Sequence, residues 1–199
     1  SVCGEILVAQ EVVPALGHKC AAFTDIDMWA HDSICFVVER DIMNGTSATT
    51  FEPETHASRA MMVTVLYRMA GEPDVTGLEN PFADVPAGTW YTDAVVWAAS
   101  TGITLGKSAT EFDPETDMTR AEMALFFMRY AAMKEQDVTQ RAALTDFTDA
   151  ADVPVWAADA MQWAVAEGLV NGMGDGTIAP NGCATRAQLA TILQRYLSK

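Results

Sequence analysis

Three stretches of the chain are apolar on nearly every helical face and predict buried helices. They cover residues 59–70, 120–133 and 186–197. A helix that is apolar on most of its faces is normally enclosed by other elements rather than laid on a surface. One such helix from each third of the chain would suffice for a central bundle. We therefore expect an all-α fold with short extended segments at most.

A shorter amphipathic segment precedes each of these stretches. The three segments run from Trp29 to about Arg40, from Trp90 to Ala99 and from Trp156 to Glu167. Gly102 and Gly168 follow two of them, as is typical of helix ends, because glycine adopts the left-handed conformation easily. Asp41 stands at the corresponding place in the first segment and predicts a weaker end. We expect these shorter helices to pack outside the central three.

Fixed spacings show that the segments belong to three repeats. The distance from Trp29, Trp90 or Trp156 to the Arg at the start of the following long helix is 30 residues each time. Length variation is confined to the connectors, around residues 71–81 and 134–146. Constant spacing within units and variable spacing between them is typical of a structural repeat. The predicted repeats are residues 23–70, 82–133 and 147–199, packed as one compact domain. Residues 1–22 match nothing later and are interpreted as a leader or the end of a preceding domain, with one short strand or helix.

Each long helix begins with a Ser or Thr followed by Arg and Ala. In residues 119–122 the Thr119 side chain and Glu122 predict a capping box, in which each side chain bonds the other residue's backbone amide. Gln188 can play the part of Glu122 in the third repeat, whereas Met61 cannot do so in the first. An Arg directly after the cap is unusual, because the helix N-terminus already carries positive partial charge. Its recurrence predicts an anion site made of helix amides and guanidinium groups; pairing with structural carboxylates is the alternative. The three arginines are Arg59, Arg120 and Arg186.

Charge and composition exclude several classes of partner. The net charge is −15, from 12 basic and 27 acidic residues spread along the chain. Without a basic patch, binding to nucleic acid or to an anionic membrane is not expected. No run approaches the roughly 18 apolar residues of a membrane span, so we expect no membrane insertion. No basic region typical of a signal peptide is visible at the N-terminus.

The sequence predicts no metal site, no cofactor and no catalytic centre. The four cysteines lack the C-x-x-C spacing of common zinc sites, and Asp146, Asp149 and Asp152 do not follow EF-hand spacing. Cys35 lies in an apolar stretch and is interpreted as a small buried residue, so cysteine usage leaves the redox compartment open. A glycosidase would need two carboxylates converging in one cleft, whereas the paired acids here belong to repeated helix starts.

The order of motifs resembles the S-layer homology domain over residues 23–199. The likeness rests on Phe-x-Asp, Trp-x-x-Asp-Ala, Gly-Ile-x-x-Gly, Phe-x-Pro and Thr-Arg-Ala-Glu, best preserved in the second repeat. The resemblance implies a pseudo-threefold bundle of three central helices surrounded by shorter helices and loops. It also implies a secreted, monomeric, non-catalytic module at the cell surface, attached to the cell wall of a Gram-positive-type envelope. Grooves between repeats would bind a secondary cell-wall polysaccharide that carries pyruvate ketals, whose carboxylate meets the motif Arg. The alternative is a module that binds a protein or peptide carboxylate in the same grooves.

Further residues are candidates for ligand contact beside the three arginines. Trp29, Trp90 and Trp156 could stack on sugar rings or plug the bundle. Asp25, Asp84 and Asp149 could cap the turn before the first helix, while the resemblance makes ligand contact an expectation. Gly45, Gly106 and Gly172 permit close backbone approach, Ser47 and Ser108 supply hydroxyls, and Lys107 is a second cation expected near Arg120. Because the start of the Arg120 helix is the most complete, we expect Arg120 to contribute most to binding, then Arg186, then Arg59. Arg68, Arg129 and Arg195 are interpreted as structural residues near helix ends.

Overall fold

The computed structural model describes residues 18–199, and this part of the chain folds into six α-helices without a β-sheet. The helices are α1 (His31–Glu39), α2 (Arg59–Met69), α3 (Thr92–Ser100), α4 (Arg120–Met133), α5 (Ala158–Ala166) and α6 (Arg186–Leu197). Short 3-10 turns lie at Lys19–Ala22, Ala150–Asp152 and Val155–Ala157. The all-α prediction is confirmed. Among these helices, none combines the length and the apolar character needed to cross a membrane.

The long helices α2, α4 and α6 begin at the three motif arginines, as predicted. Thr119 and Glu122 form a complete capping box, and Thr185 and Gln188 form a second one. At the start of α2, Ser58 accepts the hydrogen bond from the Met61 amide, without the return bond. Local cap chemistry therefore fixes all three helix starts, although the first is held by one side chain only.

The short helices end at residues in the left-handed conformation. Gly102 follows α3 with a φ of 74°, and Gly168 follows α5 with a φ of 67°. Asp41 occupies the same place after α1 with a φ of 57°, and its carboxylate pairs with Lys19 at 2.6 Å. The same chain reversal is therefore made without glycine in the first repeat.

Helix packing closes the three repeats into a ring. Each short helix packs on the long helix of the preceding repeat: α3 lies on α2, α5 on α4, and α1 on α6. The last pairing joins the first repeat to the third, where the Ser33 hydroxyl donates to the Gln194 side chain at 2.6 Å. Aromatic rings connect α4 and α6, with the Phe127 and Tyr196 centroids 5.7 Å apart. No repeat buries its own short helix.

A closed ring of backbone hydrogen bonds lies where the three repeats meet. The Ala57 amide donates to the Ala184 carbonyl, Ala184 donates to Met118, and Met118 donates to Ala57, each at 2.8 Å. The three side chains are buried beneath the ring. This ring marks the pseudo-threefold axis and holds the starts of α2, α4 and α6 close together.

A disulfide ties the residues before the first repeat to α1. Cys20, in the turn at Lys19–Ala22, is bonded to Cys35 within α1. Cys35 is therefore a cross-link and not a free apolar residue as expected, because Cys20 comes close enough to bond its sulfur. Residues 19–22 pack on α1 and are part of the domain. Residues 1–17 of the predicted leader, including the apolar runs for which a short strand or helix was predicted, lie outside the described residues.

Candidate functional site: three grooves between the repeats

Three grooves run along the long helices, one beside each, and we name them after the helix that forms their wall. The α2 groove has a volume of about 480 Å³, the α4 groove about 430 Å³ and the α6 groove about 350 Å³. Each contains the wall helix, the loop before it, one tryptophan and two arginines. The tryptophan and motif arginine are Trp90 and Arg186 in the α2 groove, Trp156 and Arg59 in the α4 groove, and Trp29 and Arg120 in the α6 groove.

Every groove is assembled from all three repeats. In the α4 groove the helix and loop belong to the second repeat, Arg59 comes from the first and Trp156 from the third. The other two grooves follow by the same cyclic shift. A single repeat therefore contributes to three different grooves and completes none of them.

The motif arginines form the buried floor of the grooves. Arg59, Arg120 and Arg186 are between 3% and 5% exposed. Each Nε–H donates to the carbonyl of an apolar-x-Pro triplet in another repeat, at 2.8–2.9 Å, the acceptors being Phe112, Ile178 and Phe51 respectively. Burial lowers the pKa of all three guanidinium groups, but arginine remains protonated in proteins. The grooves therefore carry fixed positive charges in a partly dehydrated setting.

The partner of the Nη1 group differs from groove to groove. Arg59 donates to the Glu122 carboxylate at 3.2 Å, Arg120 to the Gln188 amide oxygen at 3.4 Å, and Arg186 contacts the Met61 sulfur at 3.1 Å. These partners are the third helical residues of the capping motif, supplied by the next repeat. The charge of the motif arginine is thus neutralised by a carboxylate in the α4 groove alone among the three.

Glu122 is held as a carboxylate between two cations. Lys107 pairs with the same Glu122 oxygen that accepts from Arg59. Burial by itself raises the pKa of Glu122, but the bonds from Lys107 and the Thr119 amide, together with the Arg59 charge, outweigh it and lower the pKa. Lys107 therefore belongs to the Arg59 groove and not to the Arg120 groove as expected, because the loop of each repeat lies beside the arginine of the preceding one.

The loops also hold the arginines differently. The Nη2 group of Arg120 donates to the Asn171 carbonyl at 2.9 Å, and that of Arg186 to the Asn44 carbonyl at 2.8 Å. Leu105 occupies the corresponding position in the α4 groove, and 68% of it is exposed. The loop is shaped differently there, since Gly106 has a φ of 75° whereas Gly45 and Gly172 lack a positive φ.

The helix amides are not free for an anion. The amides of Arg59, Arg120 and Arg186 donate to the carbonyls of Thr116, Gly182 and Thr55 at 2.9–3.0 Å, and the next amide in each helix is also bonded to another repeat. The side chain of the Ser or Thr cap accepts the hydrogen bond from the third amide of each helix. The expected combination of amides and guanidinium is therefore corrected: the amides of the helix starts join the repeats, and of these motifs only the guanidinium groups remain for a groove ligand.

The three tryptophans lie at the groove rims. Trp29, Trp90 and Trp156 are 66%, 61% and 55% exposed, and each lines a groove. The alternative in which they plug the bundle is wrong. Each groove thus combines an exposed indole, which a ligand can cover, with a buried guanidinium group.

Asp25, Asp84 and Asp149 brace the apolar-x-Pro turns from behind. The Asp84 carboxylate accepts from the amides of Phe112 and Asp113 at 2.9 and 2.7 Å, and the other two make the equivalent bonds. Neither a cap of the first helix nor a place in a groove is observed, because both carboxylate oxygens are used by the turn. The carbonyl of the same turn accepts from the motif arginine. These aspartates therefore position the arginines indirectly, by fixing the turn.

The loop glycines and serines also serve internal packing. A Cβ on Gly45, Gly106 or Gly172 would lie 2.4–2.9 Å from the ring of the Phe that begins the same repeat. The glycines line the grooves, but it is the neighbouring ring, together with a loop carbonyl oxygen 2.5–3.0 Å from the same Cβ, that requires the missing side chain. The hydroxyls of Ser47 and Ser108 accept from loop amides two residues on, at 3.2 and 3.3 Å, and are not among the groove-lining residues.

A second arginine in each groove was not anticipated as a site residue. Arg68, Arg129 and Arg195 line the α2, α4 and α6 grooves respectively. Each donates to a loop carbonyl, that of Ile42, Ile103 or Leu169, at 3.0–3.3 Å. The interpretation of these arginines as structural residues agrees with these hydrogen bonds. Their constant spacing of nine residues after the motif arginine was the sequence signal that they occupy equivalent positions in the three grooves.

Comparison with known proteins finds the same three repeats. The sequence model of the S-layer homology domain matches residues 22–61, 81–124 and 146–190. An amylopullulanase of Thermoanaerobacterium thermosulfurigenes is 34% identical over 178 residues, which are 89% of this chain and 10% of that protein. The surface-layer 125 kDa protein of Lysinibacillus sphaericus is 32% identical over 195 residues, covering 96% of this chain and 16% of the relative.

A third relative shares part of the chain. The cellulosome-anchoring protein of Acetivibrio thermocellus is 35% identical over 88 residues, or 44% of this chain and 19% of that protein. The chain thus spans between 10% and 19% of the length of these three proteins. The similarity concerns a small part of proteins that otherwise differ in their names and sizes.

Proposed function

The chain belongs to the S-layer homology domain family, and on that premise we propose that it is a non-catalytic module that attaches a protein to the bacterial cell wall. Its ligand is an acidic secondary cell-wall polysaccharide, pyruvylated on some of its sugars, and the three grooves are the binding sites. The module acts outside the cell, at the surface.

The observation that carries this proposal is the threefold recurrence of an exposed tryptophan and a buried arginine in the same groove. A sugar ring is apolar on its faces and polar at its edge, so an indole can cover one face while side chains bond the edge. A pyruvate ketal adds a carboxylate, which matches the geometry of a guanidinium group. The second arginine of each groove supplies another cation for the same acidic ligand.

The relatives support anchoring as the shared role. A surface-layer protein, a cellulosome-anchoring protein and an amylopullulanase each contain a segment that resembles all or part of this chain. A shared segment that covers between 10% and 19% of each is better explained by a common location than by a common reaction. The Cys20–Cys35 disulfide agrees with a place outside the cytoplasm, where disulfides persist.

The first experiment is a pull-down with purified cell walls before and after removal of the wall-linked polysaccharide. We expect the protein to sediment with intact walls and to stay in solution with stripped ones. Incubation with the released polysaccharide should produce no reducing ends. Equal sedimentation with both wall preparations would contradict polysaccharide binding.

A second experiment tests the carboxylate. Titration calorimetry with pyruvylated and depyruvylated wall fragments should show weaker binding of the latter, and Arg120→Lys should weaken binding of the former, because a two-pronged contact becomes a point charge. Arg40→Lys is the matched control, since Arg40 is exposed and lies outside the grooves. Equal affinity for both fragments would remove the ketal from the proposal. Binding of peptides through a carboxylate, with no response to wall fragments, would favour the alternative protein-binding module.

A further inference from the structure

Three equivalent positions of the repeats bring a His, an Asp and a Cys together on the pseudo-threefold axis. His56, Asp117 and Cys183 each stand two residues before the helix cap of their repeat. All three are exposed, and their donor atoms lie within 4.8 Å of one another. They are separated by more than 60 residues in the sequence, so no short sequence motif predicts the cluster.

The backbone ring places these side chains on one side of the molecule. Ala57, Met118 and Ala184, which directly follow the three residues, are buried and are joined by the closed ring of hydrogen bonds. Neighbouring side chains on an extended backbone point to opposite faces. Because the residues of the ring point into the core, the residues before them point out along the axis. The core-facing ring thus pre-organises an outward-facing set of three donors.

The donor types match a transition-metal ion of the zinc class. Thiolate, imidazole and carboxylate are the three protein ligands that zinc takes, whereas calcium and magnesium prefer oxygen alone. Bonds of about 2.0–2.3 Å require donors separated by roughly 3.3–3.7 Å in a tetrahedral site. The His56 Nδ1 to Asp117 Oδ2 distance is 2.8 Å, so small rotations of exposed side chains reach that geometry. Water can take the fourth position.

The charge of such a complex suits its surroundings. Helices α2, α4 and α6 all begin close to the axis, and their N-terminal ends carry positive partial charge. A bare cation would be disfavoured there. A divalent ion bound by one thiolate, one carboxylate and one neutral imidazole has no net charge, so the helix ends do not oppose it.

We propose that His56, Asp117 and Cys183 bind one zinc ion, which links the three repeats at their axis. This site lies apart from the three grooves and does not depend on what the grooves bind. It also departs from the expectation that the chain binds no metal, which rested on the absence of closely spaced ligands. Because each repeat supplies one ligand, the ion stabilises the closed arrangement of repeats and leaves the unfolded chain largely unaffected.

Cobalt(II) titration is the direct test, since a thiolate bound to cobalt produces a charge-transfer band in the near ultraviolet. We expect one equivalent of cobalt per chain, displaced by zinc. Cys183→Ser should abolish the band, and His56→Ala should weaken metal binding by at least about tenfold. These residues are exposed, so neither change threatens the fold. His18→Ala is the control, because His18 is also exposed but lies beside Glu39, away from the axis.

Thermal unfolding supplies an independent measurement. Zinc at a hundredfold excess over its Kd should raise Tm by about 5 °C or more relative to a chelator, and Cys183→Ser should lose that rise while His18→Ala keeps it. A cobalt band that survives in Cys183→Ser would assign the metal to other cysteines and overturn the proposal. The absence of any band in wild-type protein that keeps the Cys20–Cys35 disulfide and a free Cys183 thiol would do the same.

Discussion

The Nη1 group of Arg59 donates to the Glu122 carboxylate at 3.2 Å, although the two residues begin different helices in different repeats. Glu122 also completes the cap of its own helix by accepting from the Thr119 amide at 3.0 Å. One carboxylate thus caps α4 and occupies the arginine that a ligand would use in the α4 groove. In the other two grooves the equivalent residues, Gln188 and Met61, carry no charge.

Replacing Glu122 by Gln should improve ligand binding in the α4 groove. The variant keeps a cap of the kind that Gln188 provides in α6, while Arg59 and Lys107 become available to an acidic ligand. We expect affinity in this groove to rise by at least about tenfold, or ~1.4 kcal/mol, because hydrogen bonds to charged groups contribute ~1.5–3 kcal/mol. Calorimetry with an acidic wall fragment measures the change.

The reverse substitution is the matched control. Gln188→Glu places a carboxylate beside Arg120 and should weaken the α6 groove by a similar factor, with its cap intact. If both substitutions shift affinity in the same direction, the charge next to the motif arginine does not control the site.

The three motif arginines should contribute unequally to binding. Arg120→Ala is expected to cost the most affinity, Arg186→Ala less and Arg59→Ala least. Arg59 already has a carboxylate partner, whereas Arg120 shares its groove with polar amides and Arg186 with the Met61 side chain. Since all three are buried, Tm must be measured beside the affinity so that loss of fold is separated from loss of contact. A dominant Arg59 would show that the Glu122 pair yields readily to ligand.

This order is the one that cap quality predicts from the sequence, but the physical reason has changed. The capping box of residues 119–122 makes α4 well formed, yet its Glu122 faces Arg59 and not Arg120. A sequence repeat states that three units are alike and where each helix begins. It does not predict which neighbour lies on which side, because that depends on how the fold brings residues such as Trp156 and Arg59, nearly a hundred positions apart, into one groove.

Other parts of the site were hidden for similar reasons. Trp29, Trp90 and Trp156 are apolar and stand at the same place in each repeat, so a core position and a rim position predict the same sequence pattern. Asp84 precedes a helical segment in the sequence, but its acceptors are satisfied by a turn 28 residues later. Helix starts and ends depend on residues that are close in the sequence, so they were predictable. The hydrogen-bond partner of each polar side chain depends on the fold, so it was not.

Acid should destabilise the protein partly through Glu122. Its native pKa lies below its ordinary value of 4.5 because cations and the Thr119 amide outweigh burial. The native state therefore takes up this proton less readily than the unfolded chain. The contribution of the carboxylate to the free energy of unfolding is complete above about pH 4.5 and is lost as the pH falls through the lowered native pKa.

Urea unfolding of wild type and Glu122→Gln at about pH 7 and about pH 3 measures this contribution, and the variant should lose less stability than wild type between the two pH values. Parallel pH profiles would contradict this assignment.

Gly106 should tolerate alanine poorly for two separable reasons. Its φ is 75°, and a Cβ would lie 2.5 Å from both the Phe82 ring and the Ser108 carbonyl oxygen. We expect Gly106→Ala to lower the free energy of unfolding by about 3 kcal/mol, combining ~1–2 kcal/mol for the left-handed conformation and ~1–3 kcal/mol for overpacking.

Two other glycines separate these effects. Gly77 has a φ of 83° and nothing within 4 Å of an added Cβ, so Gly77→Ala reports the backbone cost alone. Gly45 lacks a positive φ but would place its Cβ 2.4 Å from Phe23, so Gly45→Ala reports the overlap. Denaturant unfolding of the three variants should give the largest loss of stability for Gly106→Ala. An equal loss for Gly77→Ala would show that the Phe82 ring and the Ser108 and Glu111 carbonyls all move aside freely.

The closure of the ring, with α1 packed on α6, has a consequence for how the domain comes apart. A linear array of repeats can fray from its ends, because a terminal unit has one neighbour to lose. In this domain the first and third repeats share an interface, and removing any one repeat opens the backbone ring at Ala57, Met118 and Ala184. Under mechanical force, such a structure has no terminal repeat that can unfold separately from the others. We expect the three repeats to unfold together in one cooperative step.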